Sequence, residues 1–187
     1  MKTLWIVLGV LAVLFLIIMV PGCGTYNRLV TLDENAENAW ANVDTVLQRR
    51  YDLIPNLVNT VKGFAAQEQN VLTEVTRLRS QWAGAQSTSQ KAQAASQLES
   101  ALGRLMVVVE RYPDLKSNQN FLALQDELAG TENRISVERR RYNEAVRAYN
   151  TAIRRFPARI FAGIFGFERR TPFEAAAGAE QAPTVEF

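Results

Sequence analysis

A run of 17 residues near the N-terminus, residues 4–20, consists only of apolar residues and glycine. As a helix rising about 1.5 Å per residue, this run would be roughly 25 Å long, slightly short of the ~30 Å hydrocarbon layer of a bilayer. Thr3 and residues 21–23 complete the span. We therefore expect a transmembrane anchor over residues 1–23, with the folded part of the chain beginning after it.

Two other interpretations of the anchor remain open. A secretory signal that is removed would place a small-residue cleavage site after the apolar run, and none is present. A lipoprotein signal is indicated by Val20-Pro21-Gly22-Cys23, which places an apolar residue, a small residue and then a cysteine in a row. Cys23 is therefore a candidate lipidation site.

Charged residues next to the apolar run bear on its orientation. Lys2 and the terminal amine precede the run, and only Arg28 lies close on the other side. We expect the N-terminus inside and the folded domain outside. The protein would then be a single-pass protein of the cell inner membrane with a periplasmic or other extracytoplasmic domain.

The composition excludes several kinds of chemistry. The chain has no histidine and one cysteine, which excludes an internal disulfide, a Cys/His zinc site, a histidine base and a haem held by histidine. A di-iron site in a helical bundle would also need histidine. The 21 basic and 19 acidic residues give a net charge of +2, so nothing indicates a nucleic-acid partner. We expect no metal, no cofactor and no catalytic centre.

After residue 23 the apolar residues recur at alternating steps of three and four in four stretches, which predicts helices. The registers begin at Leu29, Leu57, Ala94 and Phe121. The second includes Phe64 and Glu68, and the fourth ends at Phe156. The fold class is therefore all-α, an antiparallel four-helix up-and-down bundle with long helices over residues 24–157.

Four breaks separate or end these stretches. Ser87 and Gln90 have the spacing of a capping box, so a helix should start there, and Pro113 and Pro157 should end the third and fourth helices. Pro55 is ambiguous, because proline suits the first turn of a new helix or kinks a continuous one. We favour a hairpin at Pro55. Residues 171–187 are rich in Ala, Glu, Gly and Pro without periodicity, and we expect them to be disordered.

Specific sequence blocks follow one another along residues 26–167. They include Arg49-Arg50-Tyr51-Asp52-Leu53-Ile54-Pro55-Asn56-Leu57-Val58, Thr131-Glu132-Asn133-Arg134-Ile135, Tyr142-Asn143 and Tyr149-Asn150. In these blocks the chain resembles the LemA family of bacterial membrane proteins. The resemblance implies an N-terminal membrane anchor followed by a helical bundle, and it implies no established activity and no catalytic residues. Gln67 departs from the pattern, since a histidine is common there.

Polar residues occupy positions that the registers assign to the core, namely Arg50, Glu68, Thr131 and Glu138. Burying one of the three charges without a partner would cost several kcal/mol. These residues could form a polar cluster that fixes the register or marks a subunit contact. They could also lie at the edge of the bundle in contact with water.

A basic and aromatic segment spans residues 158–170, and two arginines and a phenylalanine lie just before it, at residues 154–156. If four alternating helices start at the membrane, the fourth ends on the membrane side. The arginines could then meet lipid headgroups while the apolar residues enter the interface. Alternatively, the segment folds back as a short helix that covers the bundle or a neighbouring subunit. The candidate residues are Arg154, Arg155, Phe156, Arg159, Ile160, Phe161, Ile164 and Phe165.

The sequence favours binding and assembly over catalysis. We expect a membrane-anchored scaffold or adaptor that self-associates, with the lipid bilayer and further copies of the chain as partners. An alternative is a regulatory or accessory subunit of another membrane protein, such as a protease or a sensor. An enzyme would need a reactive residue or cofactor site that the sequence does not provide.

Overall fold

The computed structural model describes residues 2–173, and between residues 2 and 21 it describes the surroundings of only Trp5 and Gly9. Within residues 2–173 every regular element is a helix, which confirms the all-α class. The helices are α1 (Lys2–Phe64), α2 (Gln69–Ala83), α3 (Thr88–Val109), α4 (Pro113–Lys116), α5 (Gln119–Ala152) and α6 (Ala158–Phe165).

In the part of the chain that the structure describes, no helix has a stretch both long and apolar enough to span a bilayer. The anchor predicted over residues 1–23 falls mostly on residues whose side chains lie outside that description. Residues 174–187 of the predicted tail are also outside it. Thr171 and Phe173 are described: the Thr171 carbonyl accepts a hydrogen bond from Tyr142, and the Phe173 ring stacks on Trp40 with centroids 6.2 Å apart.

The hairpin predicted at Pro55 is wrong, because α1 continues through this residue to Phe64. Proline has no N–H, so the carbonyl of Tyr51, four residues earlier, loses its helical donor. The Nε of Arg79 in α2 donates to this carbonyl at 3.2 Å instead. The chain leaves the helix at residues 65–68. Phe64, which was predicted in the core, is the last residue of α1 and is 42% exposed.

Arg79→Leu is expected to lower the free energy of unfolding by about 1–3 kcal/mol, because it leaves the Tyr51 carbonyl without a donor. In a Pro55→Ala background the N–H of residue 55 supplies that bond, so the same change should cost less than about 1 kcal/mol. Denaturant unfolding of the four proteins measures this coupling. Arg77→Leu, at an exposed position of the same helix, is the control. Equal costs for Arg79→Leu in both backgrounds would refute the explanation.

The other helix ends agree with the sequence to differing degrees. The capping box is confirmed, since Ser87 accepts from the N–H of Gln90 while the Gln90 side chain accepts from the N–H of Ser87. α3 ends at Val109 and Pro113 begins α4 as its first residue, so proline starts the next helix there. α5 ends at Ala152, before Pro157. Phe156, which was predicted to close the fourth register, is 83% exposed.

The chain divides into two compact units, which we describe separately. Unit 1 contains residues 1–39 and 141–172, and unit 2 contains residues 40–140 and 173–187. In unit 2, segments of α1, α2, α3 and α5 contact one another, and the Tyr51 ring stacks on Trp82 at 4.2 Å. The up-and-down order of a bundle remains a prediction. Core side chains no more than 1% exposed in this unit include Leu57, Val61, Val75, Leu78, Leu98, Ala101, Leu105 and Ile135.

The polar residues predicted at core positions have different environments in unit 2. Arg50 is 8% exposed and forms an ion pair with Glu132 of α5. Glu68 is half-buried and accepts hydrogen bonds from Arg111 and from the hydroxyl of Tyr112, each at 3.0 Å. Thr131 is buried and Glu138 is half-buried. Arg50 and Glu68 therefore have separate partners, and a role for either in assembly remains a prediction.

Candidate functional site

One face of α6 packs against α1 and α5 within unit 1. Ala162 is 5% exposed and joins a cluster with Leu29, Tyr149 and Ile153. Phe161 lies against Gly22, where a Cβ would be only 2.9 Å from the ring Cζ. The absence of a side chain at position 22 therefore allows the close approach of Phe161 to α1. The helix ends at Phe165, and the next residue, Gly166, caps it in the left-handed conformation with φ 73°.

The opposite face of α6 is apolar and open to solvent. Ile160 is 54% exposed and Ile164 is 68% exposed. Phe165 is 56% exposed but lies on the side of Phe161, and its ring centroid is 4.8 Å from that of Tyr26 in α1. The three arginines nearby, Arg154, Arg155 and Arg159, are also exposed. The two interpretations of this segment thus apply to different faces. Phe161 and Ala162 pack inward, and Phe165 contacts Tyr26. The other candidate residues are exposed, and their contact with a membrane remains a prediction.

The segment after α6, residues 166–172, is held on α5 through its backbone, and we call it the strap. Asn150 makes two hydrogen bonds to the backbone of Arg170: its Nδ2 donates to the carbonyl at 2.8 Å, and its Oδ1 accepts from the N–H at 3.0 Å. The hydroxyl of Tyr149 donates to the carbonyl of Glu168, and that of Tyr142 to the carbonyl of Thr171, each at 2.9 Å.

The side chain of Arg170 connects the strap to α1. Its Nε donates to Asp33 at 2.6 Å and one terminal nitrogen donates to Glu37 at 3.4 Å. Both acidic residues lie on α1, four residues apart, which places them on the same face of the helix. α1, α5 and the strap are thereby connected within unit 1.

A groove of about 520 Å³ lies between residues 25–32 of α1 and the end of α5. Arg28, Arg147 and Arg155 line it together with apolar side chains from both helices. Arg155 was a predicted candidate residue, and Arg28 was noted only as the charge that follows the anchor. The groove itself was not predicted. The remaining lining residues are Thr25, Leu29, Leu32, Glu144, Ala148, Thr151, Ala152, Phe156, Pro157 and Ala158.

Comparison with known families gives a match over most of the chain. The model of the LemA family matches residues 39–187. The chain belongs to the LemA family. This finding confirms the resemblance carried by the sequence blocks.

This LemA-family chain is similar to three named proteins. It is 29% identical over 175 residues to magnetosome protein MamQ 2 of Paramagnetospirillum magneticum, covering 80% of this chain and 64% of the relative. It is 28% identical over 170 residues to MamQ of Magnetospirillum gryphiswaldense, with 77% and 62% covered. It is 26% identical over 121 residues to protein LemA of Metamycoplasma hominis, with 64% and 55% covered. The chain thus spans less than two thirds of each relative's length, and none of them carries the name of an enzyme.

In the described part of this LemA-family chain, no group of three carboxylate or cysteine side chains is arranged to hold a metal ion. Cys23 is exposed. The site in unit 1 combines exposed apolar side chains, arginines and side chains of α5 that hydrogen-bond to the backbone of the strap. That combination suits binding to a surface.

Sequence reasoning missed the residues that hold the strap. Tyr142 and Tyr149 belong to the fourth register and were predicted only as core positions. Asn150 was assigned no role, and Arg170 was predicted only as the last residue of the basic and aromatic segment. A signal was present, because Tyr142-Asn143 and Tyr149-Asn150 repeat the same pair seven residues apart, on one face of a helix. In this LemA-family chain the repeat places two tyrosine hydroxyls along the strap.

Burial raises the pKa of the Tyr142 and Tyr149 hydroxyls above the usual value of about 10, and the Asp33 carboxylate adds to the increase at Tyr149. A group with a raised pKa in the folded state contributes full stability below its unfolded pKa. That contribution is lost as the pH rises through the folded pKa. Stability should therefore decline above about pH 10, where an ionised hydroxyl no longer donates to the strap.

The alkaline decline can be measured by denaturant unfolding at pH 8 and pH 11. Tyr149→Phe is expected to be less stable than the wild type at pH 8 by about 1 kcal/mol, because one hydrogen bond is lost. Its stability should then fall less between the two pH values, since it lacks one titrating group. All other titrating groups are common to both proteins. An identical decline in the two proteins would exclude Tyr149 as a contributor.

Proposed function

We propose that this chain is a membrane-anchored helical scaffold or adaptor that self-associates at the bacterial inner membrane and has no catalytic activity. The observation that carries the proposal is the continuity of α1 from Lys2 to Phe64. The apolar run of residues 4–20 and the packed residues from Gly22 onward therefore belong to one helix. A helix that enters the bilayer through its first part would hold the rest of the chain at the surface.

The position of α6 supports membrane attachment. Phe161 packs on Gly22, two residues after the apolar run ends, so α6 lies beside the end of the proposed anchor. Its outer face combines exposed Ile160 and Ile164 with nearby arginines. Apolar side chains flanked by arginine are typical of helices that lie in a membrane interface.

Exposed apolar side chains on unit 2 support self-association. Val107 is 71% exposed, and Phe64, Leu122 and Val137 are each slightly more than 40% exposed. An anchor would confine all copies to one plane, which raises their effective concentration. Weak contacts between such side chains would then be sufficient for assembly.

Light scattering of the detergent-extracted full chain tests self-association. The expected protein mass is a defined multiple of 21.0 kDa. The double variant Val107→Glu/Val137→Glu should lower that mass, while Ser100→Glu/Ser136→Glu, with the same charges at exposed positions of the same helices, should not. A wild type that is only monomeric would overturn the scaffold proposal. A different membrane protein that co-purifies at a fixed ratio in place of further copies would favour the accessory-subunit alternative.

Cys23 provides a test of the topology, because it is the one cysteine of the sequence, is exposed and follows the proposed anchor. A membrane-impermeant maleimide should label it in intact spheroplasts if the folded domain lies outside the cytoplasm. Labelling that requires permeabilised cells would reverse the proposed orientation. A thiol that stays unreactive after denaturation would indicate modification of Cys23 and favour the lipoprotein alternative.

A further inference from the structure

We propose that the groove between residues 25–32 of α1 and the end of α5 binds an anionic phospholipid. In this arrangement Arg28, Arg147 and Arg155 receive the phosphate, and the apolar lining receives the upper part of an acyl chain. The inference rests on the proposed membrane anchoring, because only an anchored chain holds this groove at the lipid surface. It adds a specific lipid class and a specific binding site to that function.

The charge of the groove favours an anion. Arg28, Arg147 and Arg155 are exposed, and none of them has an ion-pair partner among the described residues. One acidic residue, Glu144, is among the lining residues. Other arginines of the same unit do have partners, as Arg170 does with Asp33. Guanidinium groups bind phosphate oxygens through paired N–H donors, so three of them around one groove suit a phosphate group.

The apolar lining favours a lipid over free phosphate. Leu32 of α1 and Ala152 of α5 are half-buried, and Ala148 of α5 is exposed, so each presents apolar surface to the groove. A free phosphate ion would gain nothing from these side chains. A phospholipid would cover them with its acyl chain while its headgroup stays among the arginines.

The position of the groove along α1 also fits a headgroup. Arg28 lies eight residues after Val20, about 12 Å along the helix at the usual rise. The Cα–Cβ bonds of a helix tilt toward its N-terminus, so the Arg28 side chain leaves α1 in the direction of the proposed membrane. Phe156 lines the groove and is 83% exposed. Phe156 precedes α6 by two residues, and Ala158, the first residue of α6, also lines the groove, so the groove and α6 would meet the same lipid surface.

Native mass spectrometry of the full chain in non-ionic detergent tests the proposal. Phosphatidylglycerol should bind at least about tenfold more tightly than phosphatidylcholine, and the groove variant Arg28→Gln/Arg147→Gln/Arg155→Gln should lose this preference. The control variant Arg49→Gln/Arg134→Gln/Arg140→Gln removes the same charge from exposed positions of unit 2. It should retain the preference. Equal loss in both variants would show a general charge effect and overturn the site.

A steric variant tests the groove without changing charge. Ala148→Trp should fill the groove and weaken phosphatidylglycerol binding by about tenfold, whereas Ala123→Trp, at an exposed position of the same helix, should not. Unchanged circular dichroism and melting temperature establish that the variants fold. If inorganic phosphate binds as tightly as the lipid does, the site is one for free phosphate and the lipid proposal is wrong.

Carbonate extraction of membranes separates this inference from the proposed function. Wild type and groove variant should both remain in the membrane fraction, since the anchor is intact in each. A wild type released by carbonate would refute the anchor. A retained wild type without preference for phosphatidylglycerol would refute only the groove.

Discussion

Glu132→Leu is expected to lower the free energy of unfolding by about 3 kcal/mol or more, although Glu132 is one-third exposed. The reason is its partner, because the Arg50 side chain is only 9% exposed and would be left as a buried charge without a counterion. Arg50→Leu should cost less, since the Glu132 carboxylate can still reach water. The double variant Arg50→Leu/Glu132→Leu should recover most of the loss.

Denaturant unfolding at pH 7 measures all three variants. Glu127→Leu, at an exposed position of the same helix, is the control and should change stability by less than about 0.5 kcal/mol. If the two single variants cost the same, the asymmetry in burial does not determine the energy of this pair.

Asn150→Leu is expected to release the strap, with a local loss of about 2–4 kcal/mol from two hydrogen bonds and the backbone groups that they leave unpaired. Hydrogen exchange of residues 166–172 should then accelerate about tenfold for each 1.4 kcal/mol lost. Exchange in unit 2 should be unchanged. Asn133→Leu, an exposed asparagine on the same helix, is the matched control. Unchanged protection of the strap in Asn150→Leu would mean that the two tyrosine hydroxyls and the ion pairs of Arg170 are sufficient to hold it.

Local patterns in the sequence predicted the helices well where the determinants were local. The capping box at Ser87 depends on residues three apart, and it was found where expected. The continuity of α1 through Pro55 could not be predicted, because the donor that replaces the missing N–H is Arg79, 24 residues later in the sequence. Once α1 extends to Phe64, the second register is cut at the turn. Glu68 then lies just before α2 rather than inside a helix.

The candidate site was predicted in composition but not in geometry. The apolar and basic residues around α6 were recognised, yet a helix of eight residues that is apolar on most sides does not reveal which face packs inward. Gly22 decides this, since its missing side chain admits Phe161. The groove was not foreseen because Arg28 and Arg147 are 119 positions apart in the sequence, and only the packing of α1 on α5 brings them together.

The side chains of α5 bind the strap through its peptide groups, so the strap should tolerate substitutions that leave these groups in place. Glu168 and Thr171 offer only their carbonyls to the tyrosines, so any residue type would present the same acceptor at these two places. At position 170, proline would remove the N–H that Asn150 requires. A saturation library of the strap should therefore accept nearly every substitution at 168 and 171. At position 170, proline should be the substitution that the library tolerates least.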